Sequence, residues 1–264
     1  DAIKKIRKYG YVVEQSILIP ECLKFLPGEN INVIKSLFSD GEIEIQDLGS
    51  QLIVKLLAPK RNEMIIDFCA GTGGKALAST VQMKNSGRVM AFDINAKKNL
   101  QLNSRVSLSK LKNIWPIVIT GLDDERLQRF TGKADAILVD APCSGLGTLR
   151  RNPDLKWKIS EVDIESFKIN QLSILNKAAS LCKAKGRLVY ATCSTFYDEN
   201  EGVVEQFLLN NPQFERYDNN LVLEKQRIIL DKAWNVYDSY GNIHLWSDLT
   251  DTDCFFMTGF IRIK

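Results

Sequence analysis

Apolar residues along this chain recur with two different periods. Met64 to Phe68, Val89 to Asp93, Ile114 to Ile119, Ala136 to Asp140 and Arg187 to Thr192 are short, nearly unbroken apolar runs of strand length. That is the form expected of strands covered on both faces. Between them, Lys75 to Met83, Ala96 to Leu108, Asp123 to Phe130 and Glu161 to Cys182 have helix length and mostly helical periodicity. Strand and helix in turn predict an α/β fold on a parallel sheet with right-handed crossovers. Ahead of this array, Ser50 to Ala58 places Leu52, Ile53, Leu56 and Leu57 at helical spacing and stops at Pro59. Behind it, Phe214 to Tyr217 and Cys254 to Ile263 read as strands joined by polar turns. They predict an antiparallel C-terminal edge on the otherwise mostly parallel sheet.

Residues 1 to 47 follow a different pattern. Short apolar runs, Tyr11 to Val13 and Ile17 to Ile19, are separated by Gly10, Pro20, Pro27, Gly28 and Gly41. This predicts a small α+β subdomain over 1–47, ahead of a main domain over 48–264. The opening at Asp1, without Met, reads as a fragment in which the first piece is shortened. The long apolar stripe of Ile164, Phe167, Ile174, Leu175, Ala178 and Leu181 has one polar exception, Gln171. Its expected role is a structural hydrogen bond to a neighbouring loop.

Composition narrows the class. A chain of 264 residues with 45% hydrophobic and 25% charged residues is a folded protein rather than a disordered or fibrous one. No apolar run approaches bilayer-spanning length and no leader is visible, so a cytoplasmic protein is expected, with no membrane partner. The six cysteines contain no C-x-x-C pair and there is a single His, His244, so no metal site is expected and the thiols read as reduced. His244 reads as an ordinary surface or core histidine. Net charge is +3, short of the strongly basic balance that would by itself imply nucleic acid. Local clusters are more suggestive: Lys4, Lys5, Arg7 and Lys8 near the start, and Arg150, Arg151, Lys156 and Lys158 around Trp157. Such groups can neutralise phosphates while the indole offers a stacking face, although a solvated basic surface has the same appearance.

Two turns carry the candidate chemistry. Asp140-Ala141-Pro142-Cys143-Ser144-Gly145 and Thr192-Cys193-Ser194 each follow a strand-like run, and strand ends in open α/β sheets face the ligand crevice. Both thiols could therefore converge on one substrate as nucleophile and partner. A third turn, Asp67-Phe68-Cys69-Ala70-Gly71-Thr72-Gly73-Gly74-Lys75, ends the first strand with small residues. It predicts a nucleotide site at a helix N-terminus. Asp93, at the end of the next strand, suits two ribose hydroxyls. The glycine pattern leaves NAD and S-adenosylmethionine both open. Hydride transfer has no use for two thiols, whereas methylation at carbon 5 of a pyrimidine needs a thiolate at carbon 6, with Asp140 placed to bond the base edge.

At this point the sequence resembles the RsmB/Sun/Nol (NSUN-type) family of RNA cytosine-5 methyltransferases. The matching segments are Ile45 to Gln51, Asp67 to Lys75, Asp93, Asp140 to Gly145, Arg150 to Asp154, Ala191 to Ser194 and Glu199 to Glu201. The resemblance implies a Rossmann-like methyltransferase sheet and S-adenosylmethionine as cofactor. It implies Cys193 as nucleophile and Cys143 as the thiol that assists release, the reverse assignment being the habit of DNA cytosine enzymes. It also implies Cys69, Ala70, Gly71, Thr72, Gly73, Gly74, Lys75, Asp93, Asp123 and Asp140 around the cofactor, with RNA contacts from Arg150, Arg151 and Lys156. The expected substrate is ribosomal RNA, with tRNA the alternative, and the expected state is a monomer. Three departures stand out: Gly71-Thr72 where the family has Ala-Pro, Leu122 where it has an acid, which leaves Asp123 as substitute, and Cys254 where it has Gly. They motivate a competing reading, a non-catalytic RNA-binding assembly factor on a degenerate scaffold.

Overall fold

The computed structural model describes residues 2–8, 10–25, 38, 39 and 41–264. Pro27 and Gly28, read above as breakers, lie outside the described residues. Helix α1 (Ala2–Lys8) precedes a two-stranded antiparallel ribbon of β1 (Val13–Gln15) and β2 (Leu23–Phe25). Ile6 and Val13 are buried there against Tyr11, Leu23, Phe25 and Ile43.

The rest is built on one sheet. Helix α2 (Leu48–Leu57) leads into β3 (Met64–Asp67), α3 (Gly74–Gln82), β4 (Arg88–Asp93), α4 (Ala96–Ser109) and β5 (Ile114–Val118). Then come the single turn α5 (Glu125–Gln128), β6 (Ala134–Asp140), the long α6 (Glu161–Leu181) and β7 (Cys182–Thr192). The C-terminal part contributes α7 (Glu201–Asn210), β8 (Phe214–Arg216), α8 (Asn219–Glu224), β9 (Ile243–Leu245), α9 (Ser247–Thr250) and β10 (Phe255–Arg262). The sheet order is β5-β4-β3-β6-β7-β10-β8, with β9 also on β10. Pairings from β5 through β7 are parallel and those made by β10 are antiparallel. Pro116, which cannot donate to a ladder, lies in the edge strand β5.

Alternation along the strands divides the core. Ile65, Leu138 and Val189 face one layer with Leu52, Ile53, Leu56 and Leu77; Ile66, Ile137, Val139, Leu188 and Tyr190 face the other with Ile174, Leu175, Ala178 and Phe207. Burial on both faces is why these strands read as continuous apolar runs. Most predicted boundaries move by a residue or more, as two of the helices illustrate. The Asp123 to Phe130 helix shrinks to one turn, because Asp124 caps it by accepting from the Arg126 and Thr120 amides. Cys182 leaves the long helix and starts β7 in extended backbone. No helix among the described residues is long and apolar enough to cross a membrane.

Candidate active site

The strand order runs 5-4-3 outward on one side of β3 and 6-7 on the other. The connections therefore diverge at the C-terminal ends of β3 and β6, where a crevice must open. A cavity of about 780 Å³ lies there, lined among others by Asp47, Asp67, Cys69, Gly71, Lys75, Asp93, Asp140, Cys143, Arg151 and Cys193.

The glycine turn is shaped by backbone demands. Gly71 and Gly73 have left-handed φ of 57° and 88°. A Cβ on Gly73 would sit 2.0 Å from a Leu102 methyl carbon, so this residue packs the turn onto α4, whereas a Cβ on Gly71 would meet nothing within 4 Å. The open side of the turn is thus at Gly71, toward the cavity. Asp93 fixes the turn by accepting from the Gly71 amide at 2.7 Å and from the Asn95 amide at 2.7 Å. Each of its oxygens keeps a lone pair for a hydroxyl. Arg105, which the sequence did not single out because it lies on a polar helix face, donates to the Thr72 carbonyl at 2.6 Å and its hydroxyl at 3.0 Å.

Asp67 ends β3 and lines the cavity. It is 2% exposed and neither carboxylate oxygen completes a hydrogen bond, the Ala76 amide of α3 being turned toward it. Burial and the nearby Asp140 push its pKa up to about 7. Lys75, which lines the cavity, donates to Asp140 at 2.6 Å. Burial opposes its charge, but Asp140, Asp67 and Cys193 hold its pKa above the ordinary value.

The two thiols meet at this ion pair. Cys143 Sγ and Cys193 Sγ lie 3.3 Å apart. The contact with Cys143 and the Lys75 charge lower the Cys193 pKa against burial and Asp140. The same contact with Cys193, followed by burial and the negative charge of Glu199, raises that of Cys143. Cys193 is therefore the sulfur disposed to ionise and Cys143 the one disposed to keep its proton. Cys69 lines the cavity beside them, its own pKa raised by burial and by Asp67, Asp140 and Asp93. Behind the thiols, the fully buried Glu199 accepts from the Ser144 amide at 2.8 Å, the Ser144 hydroxyl at 2.6 Å, Gln171 Nε2 at 2.9 Å and the Ser194 hydroxyl. Gln171 also donates to the Pro142 carbonyl at 3.0 Å, which accounts for a polar residue in an apolar stripe.

The other expected residues divide between the cavity and the surface. Asp123 is exposed and outside the lining, where Gly121 and Leu122 take part instead. Arg151 lines the cavity but is bonded to the buried Asp253, and Arg150 reaches Asp251 at 2.9 Å and Asp47 at 3.7 Å. Lys156 is outside the cavity, 4.9 Å over the exposed Trp157 ring. His244 stacks on Trp246, and with Glu201 and Asp238 it offers three ligand atoms within 4.8 Å of one another.

Comparison with known proteins gives concordant likenesses. Residues 54–261 match the family described as 16S rRNA methyltransferase RsmB/F. Over 251 residues the chain is 34% identical to "Probable ribosomal RNA small subunit methyltransferase B" of Bacillus subtilis, covering 94% of this chain and 54% of that protein. A Pasteurella multocida "Ribosomal RNA small subunit methyltransferase B" is 33% identical over 179 residues, covering 66% of this chain and 40% of its own length. The chain thus spans about half the length of these curated relatives or less. A methyltransferase homolog protein from Pyrococcus horikoshii superposes with TM-score 0.76 at 27% identity, covering 99% of this chain and 82% of that one. NSun6 from Pyrococcus horikoshii, solved with SFG, gives TM-score 0.73 at 25% identity, covering 86% of this chain and 55% of that one.

Proposed function

Since the chain belongs to the RsmB/F family of 16S rRNA methyltransferases, we propose that it transfers a methyl group from S-adenosylmethionine to carbon 5 of a cytosine in small-subunit ribosomal RNA, through a covalent bond to Cys193. The observation that carries this reading is the pair of sulfurs 3.3 Å apart beside the Lys75–Asp140 ion pair. A nicotinamide reaction would leave that pair without a task.

The cavity's donors and acceptors fit the cofactor. Asp67 presents a buried carboxylate with both oxygens unsatisfied, which suits a cationic group. Gly71 leaves open space at the turn, and Asp93 keeps acceptor capacity for ribose hydroxyls. In support, the NSun6 relative was solved with SFG, an analogue of S-adenosylmethionine. The cofactor supplies an electrophilic methyl group.

The chain's own residues supply the rest. Cys193 thiolate adds to carbon 6 of the ring, and the electron pair of the carbon 5–carbon 6 double bond moves toward N3, leaving carbon 5 enamine-like. Asp140 accepts hydrogen bonds from the N3 and N4 edge, which favours the ring protonated at N3. Lys75 holds Asp140 and contributes positive charge that favours the Cys193 thiolate. After methylation a base removes the carbon 5 proton, the double bond re-forms and Cys193 leaves as thiolate. Cys143, in contact with that sulfur, assists the release. Arg150, Arg151 and Lys156 are proposed for the RNA phosphates. For Arg150 and Arg151 this requires exchange of their present carboxylate partners. Residues 1–47 are proposed as part of the RNA-binding surface.

The test is methyl incorporation from labelled S-adenosylmethionine into small-subunit ribosomal RNA, with tRNA as the competing substrate. Cys193→Ala should abolish incorporation, and Cys143→Ala should accumulate a protein–RNA adduct on denaturing gels. Normal incorporation by Cys193→Ala would refute the assignment. RNA binding without incorporation by the unaltered protein would favour the assembly-factor reading.

A further inference from the structure

Each of the two cysteines is followed by a serine, and both serines bond one carboxylate. Ser144 and Ser194 have hydroxyl oxygens 3.2 Å apart, and both hydroxyls donate to Glu199 Oε2. Glu199 Oε1 takes the Ser144 amide and Gln171 Nε2. All four contacts are donated to the glutamate, as suits an acceptor-only carboxylate. Glu199 is 0% exposed, and no cation pairs with it among the described residues. Burying an acid on four donors is a costly arrangement for mere packing. The neighbouring Asn200 bonds the same turn, donating to the Ser194 carbonyl at 3.0 Å.

We propose that Glu199 is the positioning residue of the two-thiol site. It holds the Cys143 and Cys193 turns in contact through the serine after each cysteine, and its charge is set toward the Cys143 turn by two contacts from Ser144 against one from Ser194, leaving Cys193 as the attacking sulfur. This rests on the reading of Cys193 as nucleophile given above. The groups that face the thiols divide by sign. Cys193 has Lys75 and Arg151 on its side, with Asp140 opposing; Cys143 has Glu199, with the neutral phenol of Tyr190 nearby. Two chemically identical side chains thereby acquire different tasks from fixed neighbours, as two carboxylates do in acid–base pairs.

The experiment measures alkylation of each cysteine by iodoacetamide, resolved by peptide mass spectrometry, from about pH 6 to about pH 9. The protein is the full 264-residue chain without RNA or cofactor. In the unaltered protein Cys193 should react first. In Glu199→Gln, the rate of Cys143 relative to Cys193 should rise about tenfold, and the Cys143 profile should move toward acid. Glu199→Asp, which restores the charge, should restore the order. Unchanged ratios and profiles in a folded Glu199→Gln protein overturn the proposal. If that variant does not fold, Ser144→Ala and Ser194→Ala each remove one donor, and wild-type ratios in both overturn it equally. If Cys143 is already the faster thiol in the unaltered protein, the nucleophile assignment fails instead, and the Glu199→Gln ratio still decides whether Glu199 sets the difference.

Discussion

A buried carboxylate without a partner makes stability depend on pH in a direction opposite to the usual acid. Asp67 has its pKa pushed up to about 7 from 3.8 by burial. Between those values the folded protein holds a proton that the unfolded chain has released, so this residue's contribution falls as pH rises through the window. Asp67→Asn should therefore stabilise the ligand-free protein at pH 8 by about 4 kcal/mol at most, seen as a higher melting temperature, with little gain near pH 4. A gap that grows toward acid would contradict the assignment. Lys75 gives a second expectation at this scale. Its charge lowers the Cys193 pKa, so Lys75→Gln should shift the pH profile of Cys193 alkylation toward alkali and slow the reaction at neutral pH. Iodoacetamide rates across pH check it.

Among the elements, the short turn after Cys143 is under close steric control. The Gly147 amide donates to the Cys193 carbonyl at 2.8 Å, and its own carbonyl accepts from the Cys254 amide at 2.9 Å. A Cβ at Gly147 would lie 2.3 Å from the Cys254 carbonyl oxygen and 2.7 Å from that of Cys193. Gly147→Ala should cost about 1–3 kcal/mol and lower the reactivity of Cys193, read by thermal melting and alkylation. The five parallel strands and the long helices were legible because burial on both faces and on one helical stripe leaves its period in the sequence. The helices Glu201–Asn210 and Asn219–Glu224 were missed in a segment read as strands and polar turns. The thiol turns and glycine turn could be read as sites from their strand-end position. Glu199 lay inside a recognised segment, but its role depends on Ser144, 55 residues away, and local spacing carries no trace of that. Arg150 and Arg151 looked like free cations because the acids they bond, Asp251 and Asp253, lie about a hundred positions later.

At the scale of the molecule, the glycine turn, Asp93 and the thiol turns all emerge from the same end of one sheet, so occupancy of the cavity is coupled to the stability of the whole domain. S-adenosylmethionine at a hundredfold excess over its Kd should stabilise the protein by about 2.7 kcal/mol, and NAD should not. Thermal melts with each ligand distinguish the two cofactor readings. The position of β10 has a different consequence. It lies between β7 and β8 and also carries β9, yet it follows every other described strand in the chain. A ribosome making this protein releases residues 255–262 after all its sheet neighbours, and until then the nascent polypeptide must keep the open flank of residues 182–192 from pairing with other chains. Protection of that flank therefore waits until residues 255–262 have been made and have docked.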